Sequence, residues 1–484
     1  MTYGPSGWGI GAEVAGKGEG KWLSGGVVSD QPSSGDARRE ACSPDHRGGR
    51  GKPGVRAGLA WATSRPPPGP FRREFWRSPL RGPWLTSVFG AVLLVGITLI
   101  AVTGLLSYAA YDPRLAGNDL TPEKGVLGFY LFDWPTHPVW LYRLSQAVHV
   151  ILGITLVPVL LAKLWSVIPK LFDWPPARSP AQALERLSLL LLVGGGVFEF
   201  VTGILNIQLF YVFPFFYPAH LYGAWIFMAA FVVHVALKLP RMVSALRSRD
   251  LRRELRTGLA DTRPEPPDPD GLVALHPAEP TVSRRGLLGF VGGASLTLFG
   301  LSVGQTMDGP LRATALLSPH GREYGTGPND FQVNKTAAGR GITARGAGPG
   351  WRLELVGPRR MRLSRPDLLA MPLHTYDLPI ACVEGWSTQQ RWTGVRLADL
   401  ARLAGATPGT HEVFVESLEG GGGFGQVTLS ARQVADRASL LALRVNGADL
   451  SLDHGFPARI IVPDAPGVHN TKWVTRLSFR PEVS

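Results

Sequence analysis

The chain has 484 residues, 45% hydrophobic and 18% charged, with a formal net charge of +13 and only two cysteines, Cys42 and Cys382. So low a charged fraction, with a mean hydropathy of +0.07, argues against a wholly soluble enzyme and against general disorder. Two cysteines exclude a disulfide framework, a Cys-ligated zinc site and an iron–sulfur cluster. The basic balance points either to nucleic acid or to loops beside a membrane, and the placement of the charges decides between them.

Residues 1–73 are rich in Gly, Ser, Pro and Arg and carry no apolar period, so a disordered tail is expected, without the apolar core of a signal peptide. From residue 85 the texture changes. Predominantly apolar stretches at 85–108, 140–165, 187–207 and 219–239 are each long enough to cross a bilayer, and a shorter one covers 286–305. Arginines and lysines precede the first span, lie between the second and third, and follow the fourth. The intervening 109–139 carries acidic residues, and 208–218 carries no charge. The positive-inside rule therefore puts the N-terminus and 240–285 in the cytoplasm. The net charge reads as membrane orientation, and no nucleic-acid partner is expected because no basic stripe is interleaved with aromatics. Trp134, Trp140, Tyr142, Tyr211 and Tyr217 read as interfacial belt residues.

The expected organisation is a tail (1–73), a four-helix membrane domain (74–240), a cytoplasmic Pro/Asp/Glu-rich linker (241–282), a further apolar helix (283–306) and an external domain (307–484). Ser283-Arg284-Arg285-Gly286 opens the fifth apolar stretch. It resembles a twin-arginine signal for the export machinery, here internal, and reads equally as the basic anchor of a fifth helix. Short strand-like runs separated by turn residues, with one amphipathic helix near 396–403, make 307–484 a single α+β domain.

Three histidines fall inside spans: His149 in the second, His220 and His234 in the fourth. An ionisable group there calls for a functional hypothesis, and a hydrogen-bonded structural role is the competing reading. Neutral imidazoles on facing helices suit haem iron. Counted back from Lys163 and Lys238, His149 lies about 21 Å and His220 about 27 Å above the inner end, against about 6 Å for His234. The matched pair predicts a haem toward the external side. This stretch resembles the four-helix cytochrome b subunits of respiratory formate dehydrogenases and nickel–iron hydrogenases, whose last helix carries two histidines fourteen residues apart. The resemblance implies one or two haems b and exchange with quinone or quinol. Its inner haem draws a ligand from the first helix, where this chain has no histidine, so the role of His234 is open. Glu199, the carboxylate deep in the third span, reads as a proton carrier for a quinone or as a hydrogen-bond acceptor.

Cys382 sits in Pro379-Ile380-Ala381-Cys382-Val383-Glu384-Gly385-Trp386-Ser387. On chemistry alone it is a buried thiol or a thiolate metal ligand. The segment from 378, continued by Gly394-Val395-Arg396-Leu397-Ala398-Asp399-Leu400, resembles the molybdopterin domain of the sulfite oxidase superfamily, in the form of the bacterial protein-methionine-sulfoxide reductases. The resemblance implies a sulfite-oxidase-type fold holding Mo-molybdopterin with a single pterin, with Cys382 as the molybdenum ligand. It further implies cofactor contacts from Asn329, Gln332, Ser417, His454, Arg459, Asn470, Thr471 and Lys472. Arg459 would clamp the pterin phosphate. Sulfite oxidases carry an arginine soon after the cysteine, where this chain has Glu384, Gly385 and Trp386. The glycine run 420–423 reads as a flexible hairpin near the cofactor mouth.

Together these readings predict a multi-pass enzyme of the bacterial cytoplasmic membrane with its C-terminal domain outside. It would pass electrons from quinol through haem b to molybdenum and reduce a small-molecule or protein sulfoxide. Two alternatives stand beside it: an oxidase of sulfite or another small substrate that feeds quinone, and a cytochrome b anchor bearing a binding module.

Overall fold

The computed structural model describes residues 66–118, 131–176, 179–210, 215–307, 310–322, 324–419 and 425–482. Most of the tail expected over 1–73 (with Cys42), Tyr211 and the glycine run 420–423 lie outside the described residues.

Helix α1 (Pro83–Tyr111) starts on a proline, whose missing N–H would have had no intrahelical partner anyway. The next two amides, of Trp84 and Leu85, donate to the Glu265 carboxylate at 2.9 and 3.4 Å. That contact changes the reading of the linker. Segment 257–282 folds back over this end of the helices, burying Leu272 and Val273, while Asp270 lies 3.3 Å from both Lys170 and Arg241. Glu265 and Asp270 of this segment are partners for helix amides and basic flanks.

Helices α2 (Leu141–Thr155) and α3 (Val157–Leu171) meet at a 44° bend, where one straight span was expected. Pro158 has no N–H for the carbonyl of Ile154, and its ring crowds that carbonyl. Next come α4 (Pro180–Ile207) and α5 (Phe216–Arg247), which runs past Pro240 and well beyond the expected end. The short α6 (Leu251–Arg256) leads toward α7 (Arg284–Val303). Four of the described helices are long and apolar enough to cross a membrane, five if the bent pair is one span. Helices α1, α2, α4 and α5 form a ring in which each packs on the next, leaving α2 and α5 across its diagonal; α7 packs outside, on α2 and α3. Of the paired arginines, Arg285 is exposed, whereas Arg284 is buried 3.7 Å from Glu254 of α6.

The C-terminal domain is built on two five-stranded sheets. The first takes β1 (Arg352–Val356), β2 (Met361–Ser364), β5 (His411–Ser417), β6 (Gln426–Leu429) and β10 (Val474–Pro481) in the order β2-β1-β10-β5-β6, with only β1 and β10 parallel. The second takes β3 (His374–Ala381), β4 (Ser387–Arg396), β7 (Leu440–Val445) and β8 (Ala448–Asp449) in order, with β9 (Arg459–Ile461) on β7. Alternation along β1 and β5 turns Leu353, Leu355, Val413 and Val415 inward against Leu441 and Ile460 of the second sheet. Each such fully buried side chain contributes about 2 kcal/mol.

The two parts of the chain are joined by specific contacts. Trp134 and Tyr142, expected at a lipid interface, are buried instead against the C-terminal domain. Trp134 Nε1–H donates to the Asp464 carbonyl at 2.7 Å, and the Tyr142 amide donates to the Asp464 carboxylate at 2.6 Å. A buried indole N–H needs an acceptor, and the domain supplies one. Trp140, by contrast, is exposed. Beyond α1, the Asn118 side chain pairs with both the carbonyl and the amide of Thr428 in β6, at 2.9 and 2.8 Å.

Candidate active site

A cleft opens between the ends of the two sheets. Gln332, His454, Arg459, Asn470, Thr471 and Lys472 line it, together with Trp386 and Thr388 from the start of β4. Arg459 enters from β9, 3% exposed, and donates to the carbonyls of His454 and Asn470 at 3.1 and 2.9 Å. Its Nε has no partner, and burial pushes the guanidinium down to about 9. Lys472 donates to the carbonyls of Lys335 and Asp453, both at 2.8 Å. Burial, then the neighbouring Arg459, pushes its ammonium down to about 7. Among the described residues neither cation has a carboxylate at ion-pair distance. Asn470 Nδ2, Thr471 Oγ1 and Gln332 Oε1 are buried and unpartnered as well. Two buried cations and a set of idle polar atoms are costly unless an anionic, hydrogen-bonding group completes them. The cleft therefore fits a phosphate-bearing cofactor.

His454 is held by stacking on Phe331 at 3.7 Å and by a hydrogen bond from Nε2 to the Asn329 carbonyl at 2.9 Å. Three of the sequence candidates do not line the cleft: Cys382, Asn329 and Ser417. The Asn329 amide side chain donates to the Asp449 carbonyl and accepts from the Ser451 amide at 2.9 and 2.7 Å, pinning the 449–454 turn. The Ser417 hydroxyl donates to the Lys472 carbonyl at 2.7 Å and accepts from the Glu419 amide. Both are spent on backbone, shaping the loops that carry His454 and Lys472.

Cys382 follows β3 in a tight turn closed by its amide donating to the Trp386 carbonyl at 2.9 Å. Gly385 takes φ +87° there, a left-handed value that side chains resist. The thiol is buried in the cluster with Ile380, Trp386 and Phe331, whose neighbours line the cleft. Burial first, then the charge of Glu384, pushes its pKa well up; a bound cation would reverse that balance. Glu384 itself is buried and accepts from Trp386 Nε1–H at 2.8 Å, with His320 Nε2 at 2.6 Å. Cys382 and the residues lining the cleft thus share one end of the domain.

In the bundle, His149 on α2 and His220 on α5 lie on the diagonal pair. His149 Nδ1–H donates to the Ile100 carbonyl of α1 at 3.0 Å. His220 Nδ1 lies 2.7 Å from Thr202 Oγ1 and 3.1 Å from Glu199 Oε2, both on α4. The Thr202 hydroxyl already donates to the Phe198 carbonyl, so Nδ1 of His220 is the donor. Each imidazole therefore keeps the tautomer whose Nε2 lone pair is free for iron. A Cβ at Gly104 of α1 would come 3.2 Å from His149, and one at Gly203 of α4 would come 3.8 Å from His220. Gly104 lets the His149 ring pack close against α1, and two imidazoles with free Nε2 atoms on diagonal helices would suit a haem. His234 lies four turns along α5. Lys163, near the position where a first-helix partner would stand, donates to the Thr86 carbonyl at 2.8 Å with its ammonium over Gly90. No group of three or more metal-ligating side chains occurs among the described residues, and a two-histidine haem needs none.

Sequence reasoning passed over several residues. His469, next to Asn470, is 1% exposed, is kept neutral by burial that pushes it to about 4, and stands edge-on to Tyr111 at 5.7 Å. His320 and Gln146 were missed too, because their partners are distant in sequence. His469 directly precedes the recognised residues Asn470, Thr471 and Lys472.

The fold and cleft define a class: the C-terminal part carries a molybdopterin-binding oxidoreductase domain similar to those of the sulfite oxidases. Residues 343–484 match the family described as oxidoreductase molybdopterin binding domain. Human mitochondrial sulfite oxidase is 33% identical over 162 residues, covering 28% of this chain and 30% of that enzyme. The uncharacterized oxidoreductase YuiH of Bacillus subtilis is 33% identical over 135 residues, covering 27% of this chain and 66% of its own. Among solved structures, the sulfane dehydrogenase SoxCD of Paracoccus pantotrophus aligns with a TM-score of 0.26 and 25% identity, over 28% of this chain and 39% of that one. The chain thus spans under a third of the length of the sulfite oxidases it matches. The reading of this domain as a mere binding module is set aside.

Proposed function

We propose that this chain is a multi-pass enzyme of the bacterial cytoplasmic membrane that takes electrons from quinol and reduces a sulfoxide at an extracytoplasmic molybdenum site. The molybdenum cofactor supplies oxygen-atom transfer, and a haem passes electrons singly. Arg459, Lys472, Asn470, Thr471 and Gln332 would hold the pterin and its phosphate, and Cys382 the metal. His149 and His220 would hold one haem b; His234, lacking a histidine opposite, is assigned none. The idle donors around Arg459 carry the cofactor assignment.

A neutral substrate is favoured by Glu384. Sulfite oxidases place an arginine in this region, whereas here a buried carboxylate is held by His320 and Trp386. The arginine that would receive an anion such as sulfite has no counterpart in this turn, where residues 384–386 are Glu, Gly and Trp.

The test is an absorbance record of purified protein. A quinol analogue should reduce a b-type haem, and methionine sulfoxide should reoxidise it. Reduction of the oxidised haem by sulfite would instead establish flow toward quinone, and protein without haem would refute the membrane half of the proposal.

A further inference from the structure

The turn that carries Cys382 rests on the helix that carries His149. Gln146 Nε2–H donates to the Val383 carbonyl at 2.8 Å, and Ser107 of α1 holds the other end of that amide by donating to its Oε1 at 3.1 Å. One turn further along α2, Val150 fills the space above Gly385 so closely that a Cβ there would come 2.5 Å from it. The segment after α7 grips the same turn from the side. Thr306 Oγ1–H donates to the Gly385 carbonyl at 2.5 Å, the Ser387 amide donates to the Gln305 carbonyl at 3.1 Å, and Arg143 of α2 donates to the Thr306 carbonyl at 2.6 Å. Gln146 and Val150 bracket His149 on one helix, and Val383 is bonded directly to Cys382.

From this contact we infer that Gln146 is the bridge through which the two redox sites exchange electrons. The path runs from α2 at His149, through the Gln146 side chain and its hydrogen bond, into the Val383 carbonyl and back along the main chain of Val383 to Cys382. It joins the helix of one ligand position to the turn of the other through a single side-chain hydrogen bond. The inference rests on the haem and molybdenum assignments above. In the reaction it serves, the sulfoxide S–O bond breaks, two electrons and two protons are consumed, and a sulfide and water leave. A quinol supplies the electron pair, becoming quinone and releasing two protons. Gln146 acts as a positioning residue: it touches neither substrate nor reacting atom.

The test uses the full-length protein. Wild type and Gln146→Leu are reduced anaerobically with a quinol analogue and mixed with methionine sulfoxide while the haem absorbance is followed through a single turnover. Haem spectrum, haem midpoint potential and molybdenum content report whether both sites are intact. Reduction of the sulfoxide by a viologen dye reports on the molybdenum site without the haem. Gln146→Leu is expected to slow haem reoxidation several-fold with both sites intact, so that the ratio of quinol-driven to dye-driven turnover falls. Gln146→Asn, whose side chain is too short to reach the Val383 carbonyl, is expected to do the same and decides the matter if Gln146→Leu does not assemble. Wild-type ratios in an intact variant would overturn the bridge and leave the proposed function standing. A wild-type protein without haem would instead refute that function.

Discussion

The Asp464 carboxylate accepts a 2.6 Å hydrogen bond from the Tyr142 amide, so a residue of the cofactor domain closes the N-terminus of helix α2. Asp464 takes φ +53°, which aims its carbonyl at Trp134 and its carboxylate at the helix end. The helix so capped is the one that carries His149 and grips the Cys382 turn. One carboxylate thereby ties the docking of the domain to the alignment of the site.

That carboxylate predicts a pH dependence. Burial pushes Asp464 up to about 6, against opposing hydrogen bonds from Tyr142 and Trp134. An acid whose pKa is raised by folding binds more protons in the native state, so stability is greatest below its ordinary pKa and falls as pH rises from about 4 to about 6. Thermal unfolding in detergent should show this slope in the wild type. Asp464→Asn, which keeps a side-chain acceptor, should flatten it; an unchanged slope would assign it to other groups.

Cys382→Ser should abolish sulfoxide reduction while leaving the haem spectrum intact, since the thiolate is lost and the bundle is untouched. Retained turnover would refute the metal assignment.

Arg459→Met should deplete the pterin. A charge-assisted contact to phosphate is worth about 1.5–3 kcal/mol, or roughly 10- to 150-fold in retention. Fluorescence of the oxidised pterin released from the purified variant measures this, and wild-type content would overturn the assignment.

His149→Ala and His220→Ala should each lose the haem spectrum, whereas His234→Ala should keep it. Loss of half the haem in His234→Ala would instead establish a second site near Lys163.

Glu265→Ala should unseat the start of α1. It removes the acceptor of two helix amides, a loss of about 1–3 kcal/mol. A lowered thermal midpoint with unchanged pterin content would place the effect in the bundle.

The sequence by itself determined the division into an apolar helical part and an α+β domain, because bilayer-length apolar runs and short alternating strands are local, periodic signals. The fifth helix and the histidine pair were legible for the same reason. The resemblance to the sulfite oxidase superfamily also singled out Arg459, Asn470, Thr471 and Lys472, which the structure brings to one cleft. Tertiary structure alone decided what those local signals leave open. Asn329 and Ser417 have the right chemistry, yet their hydrogen-bonding capacity is taken up by backbone, which no spacing rule reports. Trp134 and Tyr142 look like belt residues until a second domain covers them. Glu265 reads as linker charge until it meets the amides of Trp84 and Leu85, more than 170 residues away in the chain. Above all, the contact between Gln146 and Val383 joins positions 237 residues apart. Hydrogen-bond partners at such separations are chosen by how helices and sheets pack, and no pattern local to either residue encodes that choice.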